Sequence, residues 1–163
     1  GVEVSQLAVD AFMQEQTLSP KKTLLPDFSL WRVDNLQIYC GDFFRLSANA
    51  LSGVSHVYDR AALVALDKPL RQQYIEHLLT IIPGNCRIFL ITVDYDPSEM
   101  SGPPFAVPDT EVHEYFSGDF IINKLSEENV LAAHQHFADK GLSSLIERIY
   151  RLSPISDDDD HSC

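Results

Sequence analysis

The sequence predicts an α/β fold, a mostly parallel sheet with helices on both faces. Three observations predict it. Short apolar stretches of strand character alternate with amphipathic stretches of helical period. The run CRIFLITVDY (86–95) is continuously apolar at its centre, as a strand buried on both faces must be. The chain's 163 residues, 45% apolar and 22% charged, suit one globular domain with one core.

The elements follow in order. GVEVS reads as a strand. SQLAVDAFMQEQ reads as a helix with Leu7, Ala8, Ala11 and Phe12 at helical spacing and Ser5 as its N-cap. Pro20 and Pro26 break LSPKKTLLPDFS into a loop. LQIYC and VSHVYD are short strands. PLRQQYIEHLLTIIP is an amphipathic helix with Leu70, Tyr74, Leu78 and Ile81 on one face and Pro69 in its first turn. After the central strand comes a long loop, DPSEMSGPPFAVP, then a helix, DTEVHEYF, capped by Asp109. FIINKLSEE is a strand at a sheet margin. Residues 145–152 read as a strand, although a helix fits their pattern nearly as well.

Twelve Lys and Arg stand against 24 Asp and Glu, a formal charge of -12. A surface that acidic repels phosphate backbones and anionic lipid, so neither nucleic acid nor membrane is an expected partner. The run DDDDH (157–161) reads as a solvated tail within an acidic, disordered segment 154–163, leaving 1–153 as the folded domain. Cys40, Cys86 and Cys163 form no C-x-x-C pair and are odd in number, which fits a reducing, cytoplasmic setting. His134 and His136, spaced i, i+2, lack further ligands of metal type, so no metal is expected.

In a parallel α/β sheet, ligands sit beyond the carboxyl ends of the strands. Glu3 ends the first strand and has the acceptors for both hydroxyls of a ribose, or is a surface acid. Gly41-Asp42-Phe43 follows LQIYC. Asp42 suits an exocyclic amino group and Phe43 the face of a ring, or the three form only a turn. Arg60 ends VSHVYDR. It suits an anion held in a bidentate fork, or an ion pair with Asp59 or a neighbouring acid. The order suits an adenosine-bearing cofactor, yet the chain holds no G-x-G-x-x-G.

These residues carry a resemblance. GVEVSQLAVDAF, YCGDFFRL, YDRAALVAL and FLITVDYDPSEMSGPPFAVP together resemble the thiopurine S-methyltransferase family, in particular its bacterial branch, from Gly1 to about Leu152. The resemblance implies the class I S-adenosylmethionine-dependent methyltransferase fold, with strand order 3-2-1-4-5-7-6 and one antiparallel strand. It places Glu3 on the cofactor's ribose and Asp42 with Phe43 beside its adenine. Arg60 stands near cofactor and acceptor as the catalytic residue, and Pro103, Pro104 and Phe105 border the acceptor. A substrate-site arginine of some members aligns roughly with His136. The implied reaction is methyl transfer from S-adenosylmethionine to a small aromatic or heterocyclic thiol, possible acceptors including selenium or tellurium oxyanions, by a monomer. The family's central first strand and its cofactor loop align upstream of Gly1. The chain therefore reads as an N-terminally truncated domain, expected to be unstable or aggregating and inactive by itself, with a gap or a swapped strand beside GVEVS. The alternative reading is a non-catalytic remnant of such a domain.

Overall fold

A computed structural model describes residues 1–155, so the acidic run 157–161 lies outside the described residues. The chain divides into two compact units, Gly1–Ala50 and Leu51–Cys163.

The first unit holds β1 (Val2–Glu3), α1 (Gln6–Glu15), β2 (Lys21–Leu24), β3 (Ser29–Val33) and β4 (Leu36–Cys40), in the sheet order β1-β4-β3-β2. β1 runs parallel to β4, and β3 is antiparallel to both of its neighbours. Ser5 caps α1 as expected, its hydroxyl accepting from the Ala8 N–H at 3.2 Å. The buried face is not the expected one. Val9 and Met13, an i, i+4 pair, pack on Cys40 with Trp31, Val33 and Ile38 around them, while Leu7 is 80% exposed and Ala8 and Ala11 are exposed. The supposed loop is a hairpin, because KKTL pairs in register with Ser29–Arg32. Its prolines stand just outside the paired residues, where a missing N–H costs nothing.

The second unit holds β5 (His56–Arg60), α2 (Ala62–Ala65), α3 (Lys68–Ile81), β6 (Arg87–Asp94), α4 (Asp109–Phe116), β7 (Phe120–Asn129), α5 (Gln135–Ala138) and β8 (Ile146–Pro154). Its sheet order is β5-β6-β8-β7, with β8 the one reversed strand. Ile88, Leu90, Tyr150 and Leu152 form the buried face of this sheet. Residues 146–154 are a strand because Tyr150 and Leu152, two apart, both point into that core.

Three differences from expectation have simple causes. Leu70 is exposed, and Arg71 takes its place on the buried face of α3 beside Tyr74, Ile75, Leu78 and Ile81. Pro108, not Asp109, holds the cap position of α4, because the Asp109 carboxylate instead accepts from the Tyr150 hydroxyl at 2.7 Å. Pro154 closes β8, and the Ile155 N–H donates to the Asp119 carbonyl, so the ordered chain extends past 153. Within the described residues β1 and β5 each have a partner strand on one side only, and no swapped strand fills the other side, in keeping with the expected strand order.

Candidate active site

The first unit brings Glu3 and the Gly41-Asp42-Phe43 turn to one end of its sheet. Glu3 pairs in register with Cys40 on the adjacent parallel strand, so Asp42 follows two residues beyond. The half-buried Glu3 accepts from the Ser5 N–H through Oε1 at 2.7 Å. This bond fixes the side chain at the strand end. Gly41 is required by close approach, since a Cβ there would lie 2.6 Å from the Asp27 carbonyl oxygen and from the Phe28 ring. Asp42 accepts from the Phe44 N–H at 3.0 Å, and Phe43 packs edge-to-face on Phe44. Two carboxylates and an aromatic ring on adjacent strand ends fit the ribose, amino group and base of an adenosine.

The second unit builds a separate cavity of about 170 Å³. Its floor is the sheet face carrying Ile91 and Val93, with Arg60 on β5 at one end and Glu147 on β8 at the other. Pro104 forms one wall. The segment 130–145 covers the floor, contributing Val130, His134, Phe137 and Leu145. Asn129 ties that segment down, its Oδ1 accepting from the N–H groups of Leu131 and Leu145.

The YDRAAL turn (58–63) separates its acid from its base. Asp59 is turned away from Arg60 and is 3% exposed. Its carboxylate accepts from the Tyr74 hydroxyl at 2.8 Å and the Leu63 N–H at 3.2 Å. The ion pair of Arg60 with Asp59 is therefore not formed. Arg60 stays exposed and, among the described residues, meets no carboxylate. Ala61, the residue after Arg60, has φ 86°, in the left-handed region, which costs a non-glycine residue about 1–2 kcal/mol.

Burial pushes the Asp59 carboxyl above its ordinary value of 3.8, outweighing the hydrogen bonds from Tyr74, Leu63 and Ala62. The folded state thus binds this proton more tightly than the unfolded state. Both are protonated well below 3.8, and the stabilising contribution is lost as pH rises through the raised value. Asp59→Asn keeps partners for Leu63 and Tyr74 and cannot ionise. The expected result is that the unfolding free energy of the native protein falls relative to Asp59→Asn as pH is raised from about 3 to 7 in urea titrations. A constant difference would exclude this account.

Pro104 is the member of the G-P-P-F loop that reaches the cavity, while Pro103 is exposed. Phe105 folds back on Gly102, where φ is 80° and an added Cβ would lie 2.5 Å from that ring, so no side chain fits. Two bonds pin the loop: the Phe105 N–H donates to Val64 and the Tyr95 hydroxyl to Pro104, both at 2.6 Å. Behind the walls lies Arg71, 2% exposed. It donates to the Glu111 carboxylate at 2.6 Å and to the carbonyls of Leu63, Leu66 and Ala106. Tyr115 donates to the same carboxylate. Sequence reading missed this strut. Its one signal was an arginine at the i−3 and i−4 positions from Tyr74 and Ile75, on a face otherwise apolar.

His134, not His136, lines the cavity; His136 is exposed beside Phe137. Among the described residues no cluster of three or more His, Cys, Asp or Glu has the arrangement to hold a metal ion, and no helix is long and apolar enough to cross a membrane.

Comparison with known proteins places this geometry. The family model for thiopurine S-methyltransferase matches residues 1–154. A thiopurine S-methyltransferase of Pseudomonas fluorescens (strain Pf0-1) is 41% identical over 152 residues, 93% of this chain and 70% of that protein. One from Nitrosospira multiformis is 45% identical over 93% of this chain and 69% of that protein. Among solved structures, the MccD protein is similar in fold alone, with a TM-score of 0.53 and 12% identity over 94% of this chain and 78% of the other. The fold is the α/β class I methyltransferase fold, and the chain belongs to the thiopurine S-methyltransferase family.

Proposed function

We propose that the protein methylates the sulfur of a small aromatic or heterocyclic thiol with S-adenosylmethionine as donor. The observation that carries the reading is the cavity of the second unit. Between an apolar floor and walls stands an arginine that forms no ion pair among the described residues, with Glu147 at the far end of the cavity. Such a pocket admits a flat apolar ring and favours its sulfur as the thiolate. No nucleophile–base pair is needed, since a thiolate attacks without proton transfer. The protein's task is then to position the acceptor and to keep water out.

S-adenosylmethionine supplies a methyl group on a sulfonium, whose carbon–sulfur bond breaks as the acceptor's sulfur–carbon bond forms. Glu3, Asp42 and Phe43 are the residues that would hold its ribose and adenine. Arg60 holds the acceptor's sulfur, with Pro104 against the ring. No other macromolecule enters this chemistry, and a monomer suffices for it.

The test is transfer of a labelled methyl group from S-adenosylmethionine to a thiopurine, with the S-methyl product identified by mass. Glu3→Ala is expected to weaken donor binding by about 1–3 kcal/mol, the cost of leaving hydroxyls without their acceptor, and to leave acceptor affinity unchanged. Equal losses for donor and acceptor would make Glu3 a structural residue. No S-methyl product from the native protein would defeat the proposed activity.

A further inference from the structure

Glu147 is the second charged side chain of the acceptor cavity, and neither the fold nor the methyl transfer explains it. It lies on β8 opposite Val93 of β6, and Ile91 lies opposite Arg60 of β5. Arg60 and Glu147 therefore rise from the same sheet face, two strands apart and offset by two residues. At about 4.8 Å between strands and about 3.3 Å per residue, their Cα atoms stand roughly 12 Å apart, with Ile91 and Val93 as apolar floor between. That span and a volume of about 170 Å³ suit one flat ring system held between two charged heads.

The heads differ in kind. Guanidinium only donates and carboxylate only accepts. A ligand satisfying both carries an anionic acceptor at one edge and an N–H donor at the other. Sheet stability does not account for the acid either. Glu147 stands directly across from Glu128 on β7, and like charges in that relation destabilise a strand pair. Its neighbour Arg148, by contrast, pairs with Glu127 and Asp94.

We propose that Glu147 is a specificity residue that accepts a hydrogen bond from a ring N–H of the acceptor, so that the pocket selects N–H-bearing heteroaromatic thiols over carbocyclic ones. This rests on the acceptor-pocket reading above and deepens it. A site that offers an acceptor to the ring N–H favours the ligand that carries one, while the half-buried Glu147 keeps its water against the analogue that lacks it and adds nothing to that analogue's binding.

The experiment is direct calorimetric titration of the protein with a thiopurine and with thiophenol, alongside Glu147→Ala and Glu147→Gln. The native protein is expected to bind the thiopurine about tenfold or more tighter. Glu147→Ala should remove about tenfold of that affinity and leave thiophenol unchanged, with Glu147→Gln between, since an amide oxygen still accepts. Equal loss for both ligands, or undiminished thiopurine binding in Glu147→Ala, overturns the proposal. If Glu147→Ala does not fold, the near-isosteric Glu147→Gln decides, by whether its loss is confined to the thiopurine. Binding is read independently of methyl transfer. A selective pocket without S-methyl product defeats the transferase reading and leaves Glu147 in place, whereas methylation without ring discrimination does the reverse.

Discussion

Replacing Arg71 by methionine is expected to lower stability by about 3–5 kcal/mol, the cost of leaving one member of a buried ion pair without the other. Arg71 and Glu111 are both buried, at 2% and 6% exposure, and among the described residues Glu111 would keep the Tyr115 hydroxyl alone. Three carbonyls, those of Leu63, Leu66 and Ala106, lose a donor at the same time. For a chain of this size the melting temperature should fall by roughly 6–20 °C. Joint replacement by Arg71→Met and Glu111→Leu should recover part of the loss, because an apolar pair removes the stranded charge. Denaturant and thermal unfolding of the single and double variants check this. A single variant within about 1 kcal/mol of the native protein would mean that the pair has no stabilising role.

The second large effect is on activity alone. Arg60→Ala is expected to reduce kcat/KM for a thiol acceptor by about 10- to 100-fold, the equivalent of a lost charge-assisted hydrogen bond of roughly 1.5–3 kcal/mol. Stability should be unchanged, because Arg60 is exposed and its neighbour Asp59, not Arg60, carries the bonds to Tyr74 and Leu63. Arg60→Lys should recover only part of the activity, since an ammonium brings the charge without the planar fork. Unchanged kinetics in a cooperatively melting Arg60→Ala protein would remove Arg60 from the reaction.

These two arginines show what a sequence discloses. The place of Arg60 on the cavity was legible because it ends a strand, and strand ends face ligands in this fold class. Arg71 was not. A charged residue in a helix is ordinarily solvated, and only tertiary structure brings Glu111, 40 residues on, to meet it. The central strand β6 was legible in its unbroken apolar run. The β2–β3 hairpin was hidden by its prolines and its lysine pair, since a sheet-edge strand needs no apolar alternation. Helix α1 was found, but on the wrong face. Leu7, Ala8, Ala11 and Phe12 make as good a stripe as Val9 and Met13, and periodicity cannot choose between two stripes. Glu147 was passed over because a lone acid in a strand has no motif; its meaning comes from the register that sets it across the sheet from Arg60.

The left-handed Ala61 has a consequence for ligand recognition. Glycine would relieve the torsion but would also let the turn sample many shapes. Alanine, forced into one conformation by Asp59 behind it and by the helical turn beginning at Ala62, leaves the Arg60 backbone few alternatives. The backbone entropy lost in placing Arg60 is then surrendered once, when the chain folds, and only the freedom of its side chain is left to be lost with each acceptor that arrives.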